Sequence, residues 1–308
     1  MTLHAWSSAR YVFPLPEGHR FPVAKYALLR QRVLDLGIVT PDRLHEPERA
    51  PLADVRLVHD AEYVSRFAAG TLSAAEMRRI GFVWSEQLVE RSFRAVGGTC
   101  EAARFALRHG IAMNLAGGTH HAFPDHGEGF CVFNDVAIAI RALQHDGLAK
   151  RVCVVDLDVH QGNGTHAIFA ADERVFTFSM HGARNFPFRK VPGRLDVELN
   201  DGTGDEEYLE LLARNLPRVL SEADPDLVIY LAGADPLEHD RLGRLRLTFA
   251  GLARRDAHVL ECCRDIGLPV AITMSGGYAT PIEHSVAAHA ETARIAATFS
   301  GHSTPPGD

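Results

Sequence analysis

Short apolar runs alternate with longer amphipathic stretches along most of the chain, and this alternation restricts the possible folds more than any other feature. Five apolar runs predict strands near residues 111–115, 151–157, 174–179, 226–232 and 268–274. Six amphipathic stretches predict helices near residues 24–36, 86–109, 134–146, 205–222, 247–265 and 281–298. This order indicates an α/β protein with three layers, α/β/α, in which helices cover both faces of a mostly parallel central sheet. In such sheets ligands bind at the carboxyl ends of the strands.

The remaining segments give no sign of a second domain. No linker rich in Gly, Ser or Pro interrupts the pattern, so we expect one domain over residues 1–308. The irregular, proline-containing stretch 44–57 predicts a surface loop. Residues 300–308 are polar and rich in helix breakers, and they predict a loose tail.

Composition and charge exclude several classes of protein. Apolar residues make up 46% of the chain and charged residues 23%, which is typical of a globular protein with a sizeable core. The formal net charge is -7, and the sequence contains no cluster of five or more Lys or Arg. A nucleic-acid-binding surface is therefore not expected, and a mildly acidic surface favours cationic partners. No apolar stretch approaches about 18 residues, so we expect no membrane span.

The cysteines and the start of the sequence predict a cytoplasmic protein. The five cysteines form an odd set without CxxC spacing, which indicates reduced thiols: Cys100, Cys131, Cys153, Cys262 and Cys263. The first residues do not combine a basic segment with a long apolar run, so a secretory signal is not expected.

One predicted strand ends in three side chains that can bind a metal. Residues two apart point the same way in a strand, so a strand that reached His160 would aim Asp156, Asp158 and His160 together. Asp235 also follows an apolar run and is the natural third protein ligand. Two carboxylates and one imidazole suit a borderline divalent ion such as zinc. The simpler alternative is a buried strand whose acids are solvated in the following turn.

Two further strand ends present groups suited to catalysis. His120 and His121 follow a glycine pair, and adjacent histidines can supply an acid and a base. Tyr278 follows Gly276 and Gly277 and could donate to an oxyanion. Each signal alone is weak, because a lone histidine or tyrosine is more often structural. Four such strand ends in one chain are hard to explain by packing.

Together these motifs resemble the zinc-dependent histone deacetylase family of the arginase/deacetylase superfamily. They stand in the family's order and approximate spacing over about residues 12–298. The motifs are His120-His121-Ala122, the segment Gly129 to Asp135, the segment Asp156 to Gly164, Gly233-Ala234-Asp235 and Gly276-Gly277-Tyr278. The segment Asp235 to Gly243, together with Ser275 to Tyr278, is most similar to the class IV branch and its bacterial relatives.

The resemblance implies a deacetylase-like catalytic domain with a defined set of roles. Zinc, or iron as the alternative metal, would be held by Asp158, His160 and Asp235, and would activate a water and polarise the substrate amide. Tyr278 would donate to the oxyanion. His121 would be the general base, and His120 would tune the site electrostatically.

The resemblance also assigns supporting groups. Asp156 would be the partner of His120, and Asn163 the partner of His121. Class I members have aspartate where this chain has Asn163, so His121 should be less basic here, and the division of proton transfer between the two histidines stays open.

An acyl channel and a structural potassium ion are implied as well. The channel residues would be Phe130, Phe186 or Phe188, Gly276 and Gly277. Potassium would be bound through Asp156, Asp158, His160, Ser179 and Met180, largely by backbone oxygens. His166 and His181 are interpreted as structural.

The resemblance implies hydrolysis of acylated lysine side chains in proteins or peptides. The nearest alternative is an amidohydrolase of acetylpolyamines or other small acylated amines. The sequence has no obvious inserted loop that would narrow the entrance, which favours a channel open to peptides. Two more distant candidates are a silent acyl-lysine-binding module and an arginase-like enzyme with two metals. The intact catalytic set and the Gly276-Gly277-Tyr278 ending argue against both.

Overall fold

The computed structural model describes residues 3–300 and contains one sheet of eight strands. The strands are β1 Ala5–Trp6, β2 Leu44–His45, β3 Ile111–Asn114, β4 Val152–Asp156, β5 Val175–Gly182, β6 Leu195–Leu199, β7 Leu227–Leu231 and β8 Val270–Thr273. They lie in the order β2-β1-β3-β8-β7-β4-β5-β6, and every strand pair is parallel. The predicted α/β fold is confirmed, with a sheet that is parallel throughout.

Helices connect these strands. Their bounds are α1 Lys25–Asp35, α2 Leu52–Val55, α3 Ala61–Ala69, α4 Ala74–Ile80, α5 Glu86–His109, α6 Asp135–His145, α7 Asn163–Phe169, α8 Asp205–Ala223, α9 Phe249–Asp265 and α10 Ile282–Phe299. The longest, α5, begins after Ser85, whose hydroxyl accepts from the Leu88 amide at 3.1 Å, and ends before Gly110, which has a positive φ of 91°. Within residues 3–300, no helix combines the length and the hydropathy that a membrane crossing requires.

The predicted surface loop at residues 44–57 is wrong in part. Leu44 and His45 form the edge strand β2, paired with β1, and Leu52–Val55 form the single-turn helix α2, in which Val55 is fully buried. A strand of two residues and a helix of four are too short to produce a periodic pattern. The predicted loose tail at residues 300–308 lies outside the described residues except for Ser300.

The hydrophobic core lies on both faces of the sheet. In β4, Cys153 and Val155 pack into the core on one face, and Val152 and Val154 pack into the core on the other. Successive strand side chains point to opposite faces, so a strand covered on both sides is apolar at every position. This explains why β4 and its neighbours were visible in the sequence as continuous apolar runs.

The strand order determines where the functional groups meet. Four neighbouring strands, β3, β8, β7 and β4, form the centre of the sheet. Parallel strands end at the same edge, so the segments after these four strands lie side by side.

Candidate active site

Two segments at this edge bring the predicted metal ligands together. Asp158 and His160 follow β4 and Asp235 follows β7, and one ligand atom from each lies within 4.8 Å of the others. All three side chains are buried. The Nδ1 atom of His160 lies 2.9 Å from Asp158 Oδ1 and 3.2 Å from Asp235 Oδ2.

The reason for this convergence differs from the predicted one. Strand β4 ends at Asp156, so Asp158 and His160 lie in a bend and not on a continuing strand. Carboxylates fix the bend: Asp156 Oδ1 accepts from the Asp158 amide at 3.2 Å, and Asp158 Oδ1 accepts from the His160 amide at 2.9 Å. Side-chain hydrogen bonds to the backbone therefore replace strand periodicity in aiming these residues.

The electrostatics of this cluster fit a divalent cation. Burial, together with the nearby Asp158, raises the pKa of Asp235 to about 7. Burial opposes a charge on His160, but its contacts with Asp158 and Asp235 raise its pKa to about 10. Asp235 Oδ1 accepts from the Val159 amide at 2.9 Å, whereas the buried Oδ2, beyond its ionic contact with His160, has no well-formed hydrogen bond to a described residue. A buried carboxylate oxygen without a hydrogen bond is costly, and a bound metal would satisfy it.

The turn after β8 packs directly against the ligand carboxylates. Ser275 Oγ and the Gly276 amide both donate to Asp158 Oδ2, each at 2.7 Å. A Cβ atom at Gly276 would lie 1.8 Å from Asp235 Oδ2, so only glycine fits there. Gly276 thus packs against the ligand carboxylates, whereas a Cβ atom at Gly277 would lie 2.9 Å from His289 Nε2, and neither glycine lines the cavity.

A buried arginine connects the segment after β4 with the segment after β7. Arg255, on α9, donates through Nη1 to Leu157 O at 3.2 Å and to Gly233 O at 2.7 Å. Its charge is balanced by Asp256, at 2.8 Å. Arg255 therefore fixes the segment after β4 relative to the segment after β7.

The histidine pair has two distinct electrostatic environments. Nδ1 of His120 lies 2.6 Å from Asp156 Oδ2, and Nδ1 of His121 lies 2.8 Å from Asn163 Oδ1. Burial disfavours a charged His120, but Asp156 and Asp158 raise its pKa to about 9. Burial, followed by the charges of His120 and His160, lowers the pKa of His121 well below its usual range. His120 is therefore suited to hold a proton at neutral pH, and His121 to accept one.

The Asn163 amide is oriented by a carboxylate, Glu128, that was not among the predicted site residues. Asn163 Nδ2 donates to Glu128 Oε1 at 2.6 Å, so its Oδ1 faces His121 and accepts from Nδ1–H. This leaves Nε2 of His121 as the proton-accepting nitrogen. The only signal for Glu128 in the sequence is its position directly before the Gly129-Phe130 motif.

Tyr278 lies beside the ligands as a neutral phenol. Its ring centroid is 6.2 Å from that of His160, and burial, together with Asp158 and Asp235, raises its pKa well above the usual range. The buried ammonium of Lys25 lies 5.2 Å from the Tyr278 ring centroid and donates to Gly277 O at 3.2 Å. Lys25 could not be predicted as a buried residue, because a single lysine at the start of an amphipathic helix normally faces solvent.

A cavity of about 600 Å³ leads from the surface to these groups. His121, His160 and Tyr278 lie at its buried end, and Phe130 and Phe186 contribute to its wall. The Phe186 ring stands perpendicular to His121 with the centroids 4.9 Å apart, whereas Phe188 is 87% exposed at the outside.

Comparison with known proteins identifies the family. Residues 19–293 match the model of the histone deacetylase domain. The chain belongs to the histone deacetylase family. This confirms the predicted resemblance, and the assignment to the class IV branch stays a prediction.

Individual relatives agree with the family match. The chain is 49% identical to an uncharacterized protein of Picosynechococcus over 93% of its length and 95% of the relative's. It is 33% identical to histone deacetylase 2 of Arabidopsis thaliana, over 84% of this chain and 70% of that protein. A solved structure of an HDAC homolog complexed with SAHA has a TM-score of 0.85 at 25% identity, and the match covers 99% of this chain and 86% of that one.

The remaining residues singled out in the sequence lie around this candidate site. Asp156 and Ser179 are register partners on β4 and β5, and Met180 is buried next to them. His181 Nδ1 lies 2.9 Å from Ser179 Oγ, and His166 Nδ1 lies 2.9 Å from Val191 O. Neither of these two histidines is part of the Asp158–His160–Asp235 cluster.

Proposed function

We propose that this histone deacetylase family member hydrolyses the amide bond of acylated lysine side chains in proteins or peptides. The main support is the buried Asp158–His160–Asp235 cluster, which lies at the closed end of an aromatic cavity. Beside it lie His120, whose raised pKa favours the protonated form, and His121, whose lowered pKa favours the neutral form. A protonated histidine, a neutral histidine and a candidate metal site thus lie close enough together to act on one bound amide.

Zinc is the metal that we propose for Asp158, His160 and Asp235, with iron as the alternative. Two oxygens and one nitrogen leave coordination positions open, as a catalytic zinc site requires. When bound, the metal would lower the pKa of a water and polarise the substrate carbonyl. We also propose potassium as a structural ion near Asp156, Asp158, His160, Ser179 and Met180, on family resemblance.

The side chains of this protein would move and stabilise charge as follows. Nε2 of His121 accepts a proton from the attacking water and later returns it to the departing amine. His120, protonated beside Asp156, stabilises the negative charge that develops nearby. The hydroxyl of Tyr278 donates a hydrogen bond to the oxyanion. Asn163 and Glu128 keep His121 in the tautomer that this role needs.

The aromatic wall favours a long aliphatic amine over a compact one. Phe130 and Phe186 present apolar surface to the channel, which suits the methylene stem of lysine. Acetylpolyamines and other small acylated amines share a methylene stem and are the alternative substrates.

We further propose that the chain acts as a single catalytic domain in the cytoplasm. The single central sheet supports one domain. Each of the five cysteines is free, and four are buried, in keeping with a reducing compartment.

The proposal is tested by hydrolysis of matched lysine peptides that bear acetyl, octanoyl and myristoyl groups, beside acetylated putrescine and spermidine. We expect chelator-sensitive turnover of the peptides, and the three acyl groups report the preferred chain length. Turnover of polyamines alone would favour the alternative substrate class. Binding of acyl peptides without any turnover would indicate a binding module instead.

We expect Asn163→Asp to move the acidic limb of the pH profile of kcat/KM to higher pH. The new carboxylate raises the pKa of His121, so this base loses its proton only at higher pH. Because that carboxylate would also repel Glu128, the double variant Asn163→Asp/Glu128→Gln restores a donor between the two side chains and is the cleaner measurement. An unchanged acidic limb in the double variant would exclude His121 as the titrating base.

A further inference from the structure

The mouth of the cavity is surrounded by arginines, although the chain as a whole has a formal net charge of -7. We call these six residues the arginine ring. Its members are Arg20, Arg78, Arg79, Arg184, Arg241 and Arg244. All six are exposed, and among the described residues the one carboxylate that lines the same cavity is Glu128. The expectation that the surface would favour cationic partners is therefore wrong at the entrance to the site.

The arginine ring was invisible in the sequence because its members come from separate segments. Arg78 and Arg79 lie in the last turn of α4, Arg20 precedes α1, and Arg184 follows β5. Arg241 and Arg244 belong to the segment between β7 and α9. Only the fold brings them to one opening, so a search for runs of basic residues could not detect them.

Little of this positive charge is neutralised locally. Arg184 and Arg244 share Asp201 at 3.9 and 3.1 Å, and Arg79 lies 3.4 Å from Glu128. Among the described residues, two carboxylates thus form ion pairs with members of the arginine ring, and the exposed pairs with Asp201 are weak.

Three members of the ring have no acidic partner within residues 3–300. Arg241 donates to Tyr278 O at 3.2 Å, and Arg20 and Arg78 have no carboxylate within ion-pair distance. A narrow opening lined with charges of one sign concentrates the field and attracts ligands of the opposite sign.

The position of the ring indicates which part of a substrate it would contact. The reacting groups are buried at the closed end of the cavity, whereas the arginines are exposed at its mouth. With an acylated lysine stem in the channel, the mouth contacts the peptide on either side of that lysine. Guanidinium groups bind carboxylates with two parallel hydrogen bonds, so acidic neighbours fit this mouth best.

We propose that the preferred substrate is an acylated lysine flanked by acidic residues. The inference rests on the proposed hydrolytic function and specifies its substrate class. A basic peptide or a cationic polyamine would be repelled at the same entrance.

The test compares three peptides with the same acylated lysine, flanked by Glu, Gln or Lys. We expect kcat/KM to be highest for the Glu peptide, intermediate for the Gln peptide and lowest for the Lys peptide. The difference between the extremes should be about tenfold or larger and arise mainly in KM, because several exposed charge contacts each change the affinity a few-fold. At about 0.5 M salt the span should shrink, since surface charges are then screened within a few ångströms.

The variant Arg20→Gln/Arg78→Gln removes two ring members that have no acidic partner among the described residues. We expect it to reduce the preference for the Glu peptide several-fold while turnover of the Gln peptide changes little. The matched control is Arg214→Gln/Arg218→Gln, which removes two exposed arginines from α8, away from the cavity. The control should keep the wild-type ranking.

The outcomes separate this inference from the proposed function. Equal turnover of all three peptides, or a preference that survives Arg20→Gln/Arg78→Gln, would overturn the inference and leave lysine deacylation intact. If no peptide is hydrolysed, the affinities of the three peptides are compared by fluorescence anisotropy with labelled peptides. Tighter binding of the Glu peptide would then support the arginine ring while overturning hydrolysis, and equal binding would overturn both.

Discussion

Tyr278→Phe is expected to lose most of the turnover while the protein still binds metal and substrate. The substitution keeps the ring that packs beside His160 and removes only the hydroxyl. One oxyanion donor typically contributes about 3 to 4 kcal/mol to the transition state, so kcat should fall by roughly 10² to 10³-fold with little change in KM. Steady-state kinetics on the best acyl-lysine peptide, with metal content determined in parallel, measures this effect.

The control for this variant is Tyr11→Phe, which removes a hydroxyl from a tyrosine remote from the cavity. Tyr11 donates to Glu46 at the surface, and its loss should leave kcat unchanged. Near-wild-type turnover of Tyr278→Phe would exclude its hydroxyl from the mechanism. A parallel loss of metal would instead mean that the substitution disturbs the ligands.

Asp235→Ala is expected to abolish stable metal binding. The substitution removes one of the three clustered residues proposed as ligands, including the carboxylate oxygen that has no hydrogen bond among the described residues. Loss of an outer hydrogen-bond partner already costs about 10 to 100-fold in metal affinity, and loss of a ligand should cost more. Elemental analysis of dialysed protein should find metal in the wild type and almost none in the variant.

Thermal unfolding provides an independent measurement of the same prediction. A metal that binds only the folded chain stabilises it, so a chelator should lower the Tm of the wild type and leave the Tm of Asp235→Ala unchanged. Asp42→Ala, which removes an exposed aspartate, is the matched control and should respond to chelator as the wild type does. Metal retention by Asp235→Ala would contradict the assignment of this ligand.

The central part of the fold could be predicted because its elements are long or buried on both sides. Strand β4 is apolar at each position before Asp156, and α5 has an apolar face over 24 residues. Strands β1 and β2 contain two residues each, and β6 is only partly buried, so none of them produces a recognisable pattern.

Candidate site residues were predictable where they follow a central strand. Asp158 and Asp235 could be identified because parallel strands end at one edge and both follow apolar runs. Lys25, Glu128 and the arginine ring lie on helices and loops whose approach to the site depends on the whole fold. No local spacing distinguishes these residues from ordinary surface charges.

The contacts of Arg255 bear on how the chain tolerates two neighbouring negative charges. By fastening Leu157 and Gly233, Arg255 holds Asp158 and Asp235 close together through the backbone. The free energy of folding therefore offsets the repulsion between these two carboxylates. A cation bound at the proposed site would find its ligands already in place, and its binding energy would not be spent on ordering loops.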